Sequence, residues 1–183
     1  MTTINASNVS GVIITSDTSG NLILQSNGNT VATLTSTSAN AGIQMATWVA
    51  PAFSAYQSVA QTLTGSFGKV SFQTEEFDTA NCFDSVTNYR FTPNVAGYYQ
   101  FNGQLTSTAT GYTLGAFYKN GVFSKSWNNS NAGGPTASVC GSALIFMNGT
   151  TDYAEVYAAT TAAGIQSVGS ANNFFQAFLA RSA

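Results

Sequence analysis

Between Pro51 and the C-terminus, stretch after stretch places apolar side chains at every second position, the period that a pleated strand imposes and a helix cannot satisfy. Within Tyr98–Leu105, Tyr99, Phe101, Gly103 and Leu105 share one face, and Gln100, Asn102 and Gln104 share the other with Tyr98. One of those faces is core. Leu114, Ala116 and Tyr118 lead into Asn120-Gly121, the strongest two-residue hairpin signal, and Phe123, Lys125 and Trp127 continue beyond it. Asn148-Gly149 predicts a second, buried hairpin. It joins Cys140–Met147, an almost unbroken apolar run of the kind found in strands covered on both faces, to Tyr153–Ala158. Near the end, Phe174 and Phe178 face one way while Phe175 and Leu179 face the other, so both sides of the last strand ask for burial. No stretch keeps a helical period, and strands arrive about every 8 to 12 residues, the spacing of a sandwich or jelly roll.

Charge is what the chain lacks. Of 183 residues, Lys and Arg supply 5, Asp and Glu supply 7, and histidine is absent. An ordinary soluble domain is about one quarter charged, so Ser, Thr and Asn must carry the wetted surface here. A net charge of −2 with 13% aromatic residues is not the composition of a disordered chain, and a core can form. Apolar residues on both faces of several strands, with so few charges for an outer surface, imply that one sheet is buried against other copies, as in a closed trimer or another ring.

The same scarcity excludes functions. Lys69, Arg90, Lys119, Lys125 and Arg181 are scattered and form no stripe that could neutralise phosphates, which rules against nucleic acid as a partner. Without histidine, the Ser-His-Asp and Cys-His machineries, His-ligated zinc and the commonest general base near neutral pH are all missing. No enzyme is expected. The opening residues carry no basic stretch followed by an apolar one, and nowhere do about 18 apolar residues run together. A soluble chain without a standard export signal or membrane insertion is therefore expected. Cys82 and Cys140 fit neither a redox pair nor a metal knuckle. Two buried thiols is the ordinary reading in a reducing compartment, and one disulfide is the alternative.

Residues 1–46 differ in texture from residues 47–183, with the boundary between Met45 and Pro51. Gly11–Thr15, Asn21–Gln25 and Thr30–Thr35 are short strand-like runs separated by Ser16–Gly20 and Asn27–Asn29, and Ser36–Ala41 resembles a linker. This segment has almost no aromatics and cannot bury a core alone, so it must pair with copies of itself or lie against another protein.

The stretch from Phe72 resembles the signature of the complement C1q globular domain, part of the C1q/tumour-necrosis-factor-like (C1q/TNF-like) jelly rolls. Phe72, Asp78 and Phe83 fit the family spacing, Phe91 comes one residue late, and Gly97, Tyr99 and Phe101 fit again, while Gly103 stands where the final aromatic belongs. Pro51–Ala55 resembles the family's first strand, Lys119–Gly121 its central hairpin, Ala143–Gly149 its penultimate hairpin and Phe174–Leu179 its last strand. The resemblance implies an all-β C1q/TNF-like jelly-roll sandwich, preceded here by the β-rich N-terminal segment, and a compact homotrimer. Gly97 is read as supplying a positive φ in the Pro93–Gly97 turn. No collagen-like Gly-X-Y repeat precedes the domain. Instead, Ser19–Leu34 is similar to the low-charge β segments of bacteriophage fibre and other virion proteins.

Three candidate sites stand out. Glu75, Glu76, Asp78 and Asp84 form the main acidic cluster. A hard cation such as calcium needs about six to eight oxygens gathered from loops like this one, but Asp78 sits at a signature position, and solvated loop charge is the simpler reading. The same carboxylates would serve glycoside hydrolysis only if two faced each other across a cleft, which nothing in the spacing requires. Trp127, Asn128 and Asn129, beside Gly133-Gly134-Pro135, would form a ligand loop that holds a sugar by stacking and amide bonds, or the indole simply covers the core.

The expected function is that of a non-enzymatic bacteriophage structural protein. A homotrimeric knob is anchored to other virion proteins by the N-terminal segment and sits on the virion surface after assembly in the host cytoplasm. It serves either as a fibre tip that attaches to a host-surface glycan or protein, or as a capsid decoration (cement) protein. The alternative is a soluble, lectin-like C1q module that binds carbohydrate or protein outside any virion.

Overall fold

The computed structural model describes residues 21–26, 29–35, 44–45, 50–108, 111–132, 137–161, 164–165 and 168–183. The chain divides into two compact units, Met1–Trp48 and Val49–Ala183. In the first, β1 (Asn21–Ser26) pairs antiparallel with β2 (Asn29–Thr35), and β3 (Gln44–Met45) adds to β2. The expected strand at Gly11–Thr15 and the linker at Ser36–Ala41 lie outside the described residues.

The second unit is a sandwich of two antiparallel sheets, with no helix among the described residues. Its strands are β4 (Ala52–Tyr56), β5 (Thr62–Leu63), β6 (Gly68–Lys69), β7 (Thr74–Asp78), β8 (Phe83–Asp84), β9 (Arg90–Phe91), β10 (Gly97–Ser107), β11 (Gly111–Lys119), β12 (Val122–Ala132), β13 (Ala137–Met147), β14 (Ala154–Thr160), β15 (Gly164–Ile165) and β16 (Phe174–Ser182). One sheet runs β13-β10-β16-β4-β7. The other runs β12-β11-β14-β9-β8, with β6 also on β14, and β15 pairs with β5 apart from both. On β10 the alternation is as the sequence requires: Tyr99, Phe101 and Leu105 are fully buried, and Tyr98 lies on the opposite face.

Asn120-Gly121 closes the β11–β12 hairpin with both residues at positive φ, 54° and 75°, the signature of a type I′ turn whose twist matches its strands. Asn148-Gly149 does something else. β13 pairs with β10 and β14 pairs with β11, so this turn carries the chain from one sheet to the other and is not the buried hairpin expected. The Asn148 side chain organises it, its Oδ1 accepting from the Thr150, Thr151 and Asp152 amides at 2.9–3.0 Å. Asp152 then bridges both Asn-Gly turns, taking bonds from Asn120 Nδ2 at 2.7 Å and the Asn148 amide at 3.0 Å, and pairing with Lys119 at 2.7 Å. Burial pulls the Asp152 carboxyl up, but these partners together hold it below the ordinary carboxylate range.

The core is aromatic. Phe53 stacks on Phe83 at 4.6 Å and Phe91 at 4.7 Å, and meets Phe175 edge-on at 5.0 Å. Each such ring removes about 150–250 Å² from water. On β11 the core side belongs to Thr113, Gly115 and Phe117. Trp127, from β12, packs against Phe117 at 5.0 Å, and its indole lies over three glycines on three strands: Gly103, Gly115 and Gly141. A Cβ on Gly103 would lie 2.6 Å from the indole Cη2, and at Gly115 and Gly141 it would approach the ring still more closely. Gly103 therefore departs from the signature for a packing reason: an aromatic from the opposite sheet occupies its side of the core.

Gly97 also differs from expectation. Its φ is not in the positive region. A Cβ there would lie 2.7 Å from Leu179 Cδ1 and nearer still to the Arg181 carbonyl oxygen, so glycine is required because β16 passes close by.

Candidate functional site

The outer face of the five-stranded sheet is the largest feature that the protomer leaves unfinished. Strand register sets out its rows. Phe146 lies beside Tyr98; Leu144, Gln100, Phe178 and Ala52 form the next row; Ser142, Asn102, Gln176, Ser54 and Phe77 form the one after. Leu144 is 53% exposed, Phe178 and Phe77 50%, Tyr98 45% and Phe146 40%. Five large apolar side chains on one sheet face exceed the scattered exposure that an ordinary surface tolerates. The face is also indented. A hollow of about 310 Å³ lies between Tyr98, Leu144, Ala180 and Arg181, and one of about 410 Å³ between Asn102, Cys140, Ser142, Phe174 and Gln176.

Sequence alternation alone did not single out these residues, although their signal was present. In Cys140–Met147 and Phe174–Leu179, apolar residues occupy both parities, so each strand must bury two faces. In the protomer only one is buried. β13 alternates buried Val139, Ile145 and Met147 with exposed Cys140, Leu144 and Phe146, so the protomer by itself does not cover both sides of the strand as the apolar run suggested. Cys140 is likewise an exposed free thiol, not the buried one expected, while Cys82 is free and buried. Burial pushes the Cys82 thiol up.

The signature residues form the core and its supports. Phe72, Phe91, Tyr99 and Phe101 are fully buried and Phe83 nearly so. The Tyr99 hydroxyl donates to the Val95 carbonyl at 2.8 Å, tying down the Pro93–Gly97 corner, and burial pushes its phenol strongly upward. Asp78 accepts from the Ala80 and Phe83 amides at 3.1 and 2.7 Å. Between Phe83 and Phe91 the chain makes a turn at 85–88. Asp84 caps that turn, and Tyr89 leaves it at a φ of 50°.

The acidic residues are each engaged in the fold. Glu76 accepts from Ser54 Oγ and Glu75 from Ser85 Oγ, both at 2.6 Å. Asp84 accepts from the Val86, Thr87 and Asn88 amides at 2.9–3.1 Å and from Asn88 Nδ2 at 2.7 Å. The Thr87 bond leads in lowering its carboxyl to about 2. Glu75, Asp84 and Arg90 do line one polar hollow of about 460 Å³, but the Arg90 guanidinium lies 4.3 Å over the Tyr153 ring. Among the described residues no three or more His, Cys, Asp or Glu gather to hold a metal ion. The calcium reading therefore has no assembled donor set.

The proposed ligand loop is corrected as well. Trp127, Asn128 and Asn129 lie on β12; the indole is buried against the glycines, and Asn128 Oδ1 accepts from the Cys140 amide at 2.8 Å. An indole under three strands has no face to offer a sugar. Gly133-Gly134-Pro135 lies outside the described residues.

Comparison with known proteins identifies the fold. The structure is similar to the globular domain of zebrafish complement 1qA, with a TM-score of 0.57 and 19% identity over 73% of this chain and 99% of that one. It is similar to murine APRIL at 0.55 and 9% identity, over 71% and 98% of the two chains. Eiger TNF from S. frugiperda aligns at 0.53 and 11% identity, over 73% and 94%. The fold is a C1q/TNF-like jelly roll. By sequence, no family model and no curated protein matches the chain.

Proposed function

We propose that this chain is a non-enzymatic structural protein of a bacteriophage virion. Its jelly roll forms a homotrimeric surface knob, and its N-terminal β segment attaches the knob to other virion proteins. The observation that carries the oligomeric knob is the unfinished outer face of the five-stranded sheet, where Phe77, Tyr98, Leu144, Phe146 and Phe178 stand 40–53% exposed.

Two strand edges add to it. β12 and β13, each 11 residues long, end their sheets with one partner apiece; Asn128 Oδ1 of β12 takes the Cys140 amide of β13, and the rest of such long edges is normally covered. An edge of one copy set against the face of the next is a head-to-tail contact that repeats until it closes into a ring. The resemblance to C1q-like domains supplies the number three. The absence of histidine and the engagement of Glu75, Glu76, Asp78 and Asp84 in hydrogen bonds of the fold support a binding role over a catalytic one. The virion assignment rests on the low-charge N-terminal strands and their similarity to fibre segments, and it accommodates both a fibre tip for host attachment and a capsid decoration protein.

A second reading, a soluble C1q-like module that binds carbohydrate or protein, is favoured by the structural relatives themselves, which are complement and TNF proteins. Cryo-electron microscopy of particles from cells producing the protein separates the readings. Threefold density at a capsid position or a tail tip supports the proposal. Trimers found only free in the medium, with none on particles, overturn the virion role and leave the soluble module.

A further inference from the structure

The unfinished face is not uniformly apolar, and its polar residues have a pattern. Gln100, Asn102 and Gln104 run down β10, and the row Ser142–Asn102–Gln176–Ser54 crosses them at Asn102. The result is an uncharged polar cross at the middle of the sheet, with Tyr98, Leu144, Phe146, Phe178, Phe174 and Phe77 around it. Among the described residues, formal charge on this face stands at its margins: Arg181, Lys119 with its Nζ 5.7 Å from the centre of the Phe146 ring, and Glu76 on the edge strand β7, which accepts from Ser54 Oγ at 2.6 Å.

Part of the cross is satisfied within the protomer. Gln100 Nε2 donates to Ser142 Oγ at 2.7 Å, Ser142 Oγ donates to Asn102 Oδ1 at 3.0 Å, and Gln104 Nε2 reaches the Ala171 and Asn172 carbonyls at 3.4 Å. Part is not. Asn102 Nδ2 has no hydrogen-bond partner among the described residues, and neither does the half-buried carboxamide of Gln176.

We propose that this polar cross is the element that fixes register and copy number when copies of the chain cover the face. The proposal rests on the self-association reading above. Two chemical facts favour a second copy as the occupant. A carboxamide donates and accepts at once, so in a head-to-tail ring it can bond an amide, a hydroxyl or a main-chain group of the next copy. Where the ring axis brings identical residues together it can pair with its own counterpart, whereas a carboxylate or an ammonium would there meet its own like charge. Buried between apolar surfaces, an amide left unpaired costs more than a paired one returns. Arrangements that slide one copy over the next strand Asn102 and Gln176 against Leu144, Phe146 or Phe178 and are rejected. The apolar residues supply affinity without direction, and the cross supplies direction at some expense of affinity, as single polar residues do in helical bundles.

The test is native mass spectrometry of the full chain beside the double variant Asn102→Leu/Gln176→Leu, with near-ultraviolet circular dichroism to confirm that the buried aromatic core is intact. The wild type gives one assembled species. The variant, with its core spectrum unchanged, is expected to assemble at tenfold or more lower concentration yet distribute over several copy numbers. A variant that keeps the single wild-type species overturns the proposal, even if it assembles more tightly. Should that variant fail to fold, Asn102→Val alone, which places a strand-favouring β-branched residue there, is read by the same criterion. A wild type that is monomeric at all concentrations overturns the self-association reading itself, which is a different result from either variant outcome.

Discussion

Replacing Phe178 by alanine isolates the assembly face from the fold, because the ring is already half exposed in the protomer. With about 200 Å² on a phenylalanine side chain, 50% exposure leaves about 100 Å² for a neighbour to cover, worth about 2.5 kcal/mol per copy at about 25 cal/mol per Å². Over three copies the loss is about 7.5 kcal/mol. In a monomer–trimer equilibrium the concentration at half dissociation depends on the square root of the association constant, so it rises by about 500-fold. Sedimentation equilibrium over a dilution series measures that midpoint. Thermal unfolding of the dissociated protomer should move little, since exposed positions seldom contribute more than about 0.5 kcal/mol. In contrast, Phe175→Ala, fully buried against Phe53 and Phe101, should destabilise the protomer by about 3–5 kcal/mol. A midpoint that shifts less than about threefold in Phe178→Ala would refute the reasoning.

Other predictions concern the core, the acid limb and salt. Gly141→Ala drives a methyl into the Trp127 indole and should lower protomer stability by about 1–3 kcal/mol in denaturant unfolding; the companion change Trp127→Leu, which vacates the space, should recover part of it. Asp84 has its carboxyl lowered from near 3.8 to about 2 by the turn amides. Its stabilising effect is therefore complete above about pH 4 and fades as pH falls toward 2, and Asp84→Asn should show a flatter acid limb in thermal melts. Because formal charges lie only at the rim of the assembly face, raising sodium chloride from about 0.05 to about 0.5 M should shift the association midpoint less than about threefold.

Much of the sandwich was legible because strand period and turn chemistry are local. The Tyr98–Leu105 alternation and the Asn120-Gly121 turn needed no tertiary information. Asn148-Gly149 misled because an Asn-Gly pair specifies a turn but not which sheet receives the next strand, and pairing is decided by β10 and β11, far away in sequence. Gly97 and Gly103 illustrate a related limit. Their need for glycine comes from β16 and from Trp127, neighbours that only the folded chain brings close. Trp127 seemed to belong to a loop because Asn128 and Asn129 follow it, yet these asparagines lie on an edge strand, where Asn129 pairs with Leu114 of β11 and Trp127 and Asn128 fall in the adjoining register shift. The assembly face was visible only as a surplus, in apolar residues at both parities of β13 and β16. Which of them lie side by side depends on register.

Cys140 offers the most direct test that copies of the chain cover this face. It is exposed on the same side of β13 as Leu144 and Phe146, while Cys82 is buried in the core. Iodoacetamide labelling, followed by peptide mass spectrometry, compares concentrated wild-type chain with chain diluted below its association midpoint. The account predicts that Cys140 reacts at least tenfold more slowly in the assembled protein and that Cys82 reacts slowly in both. Equal Cys140 rates in the two samples, at a concentration where the mass is about 57 kDa, three times 19.0 kDa, would place the contact elsewhere on the molecule.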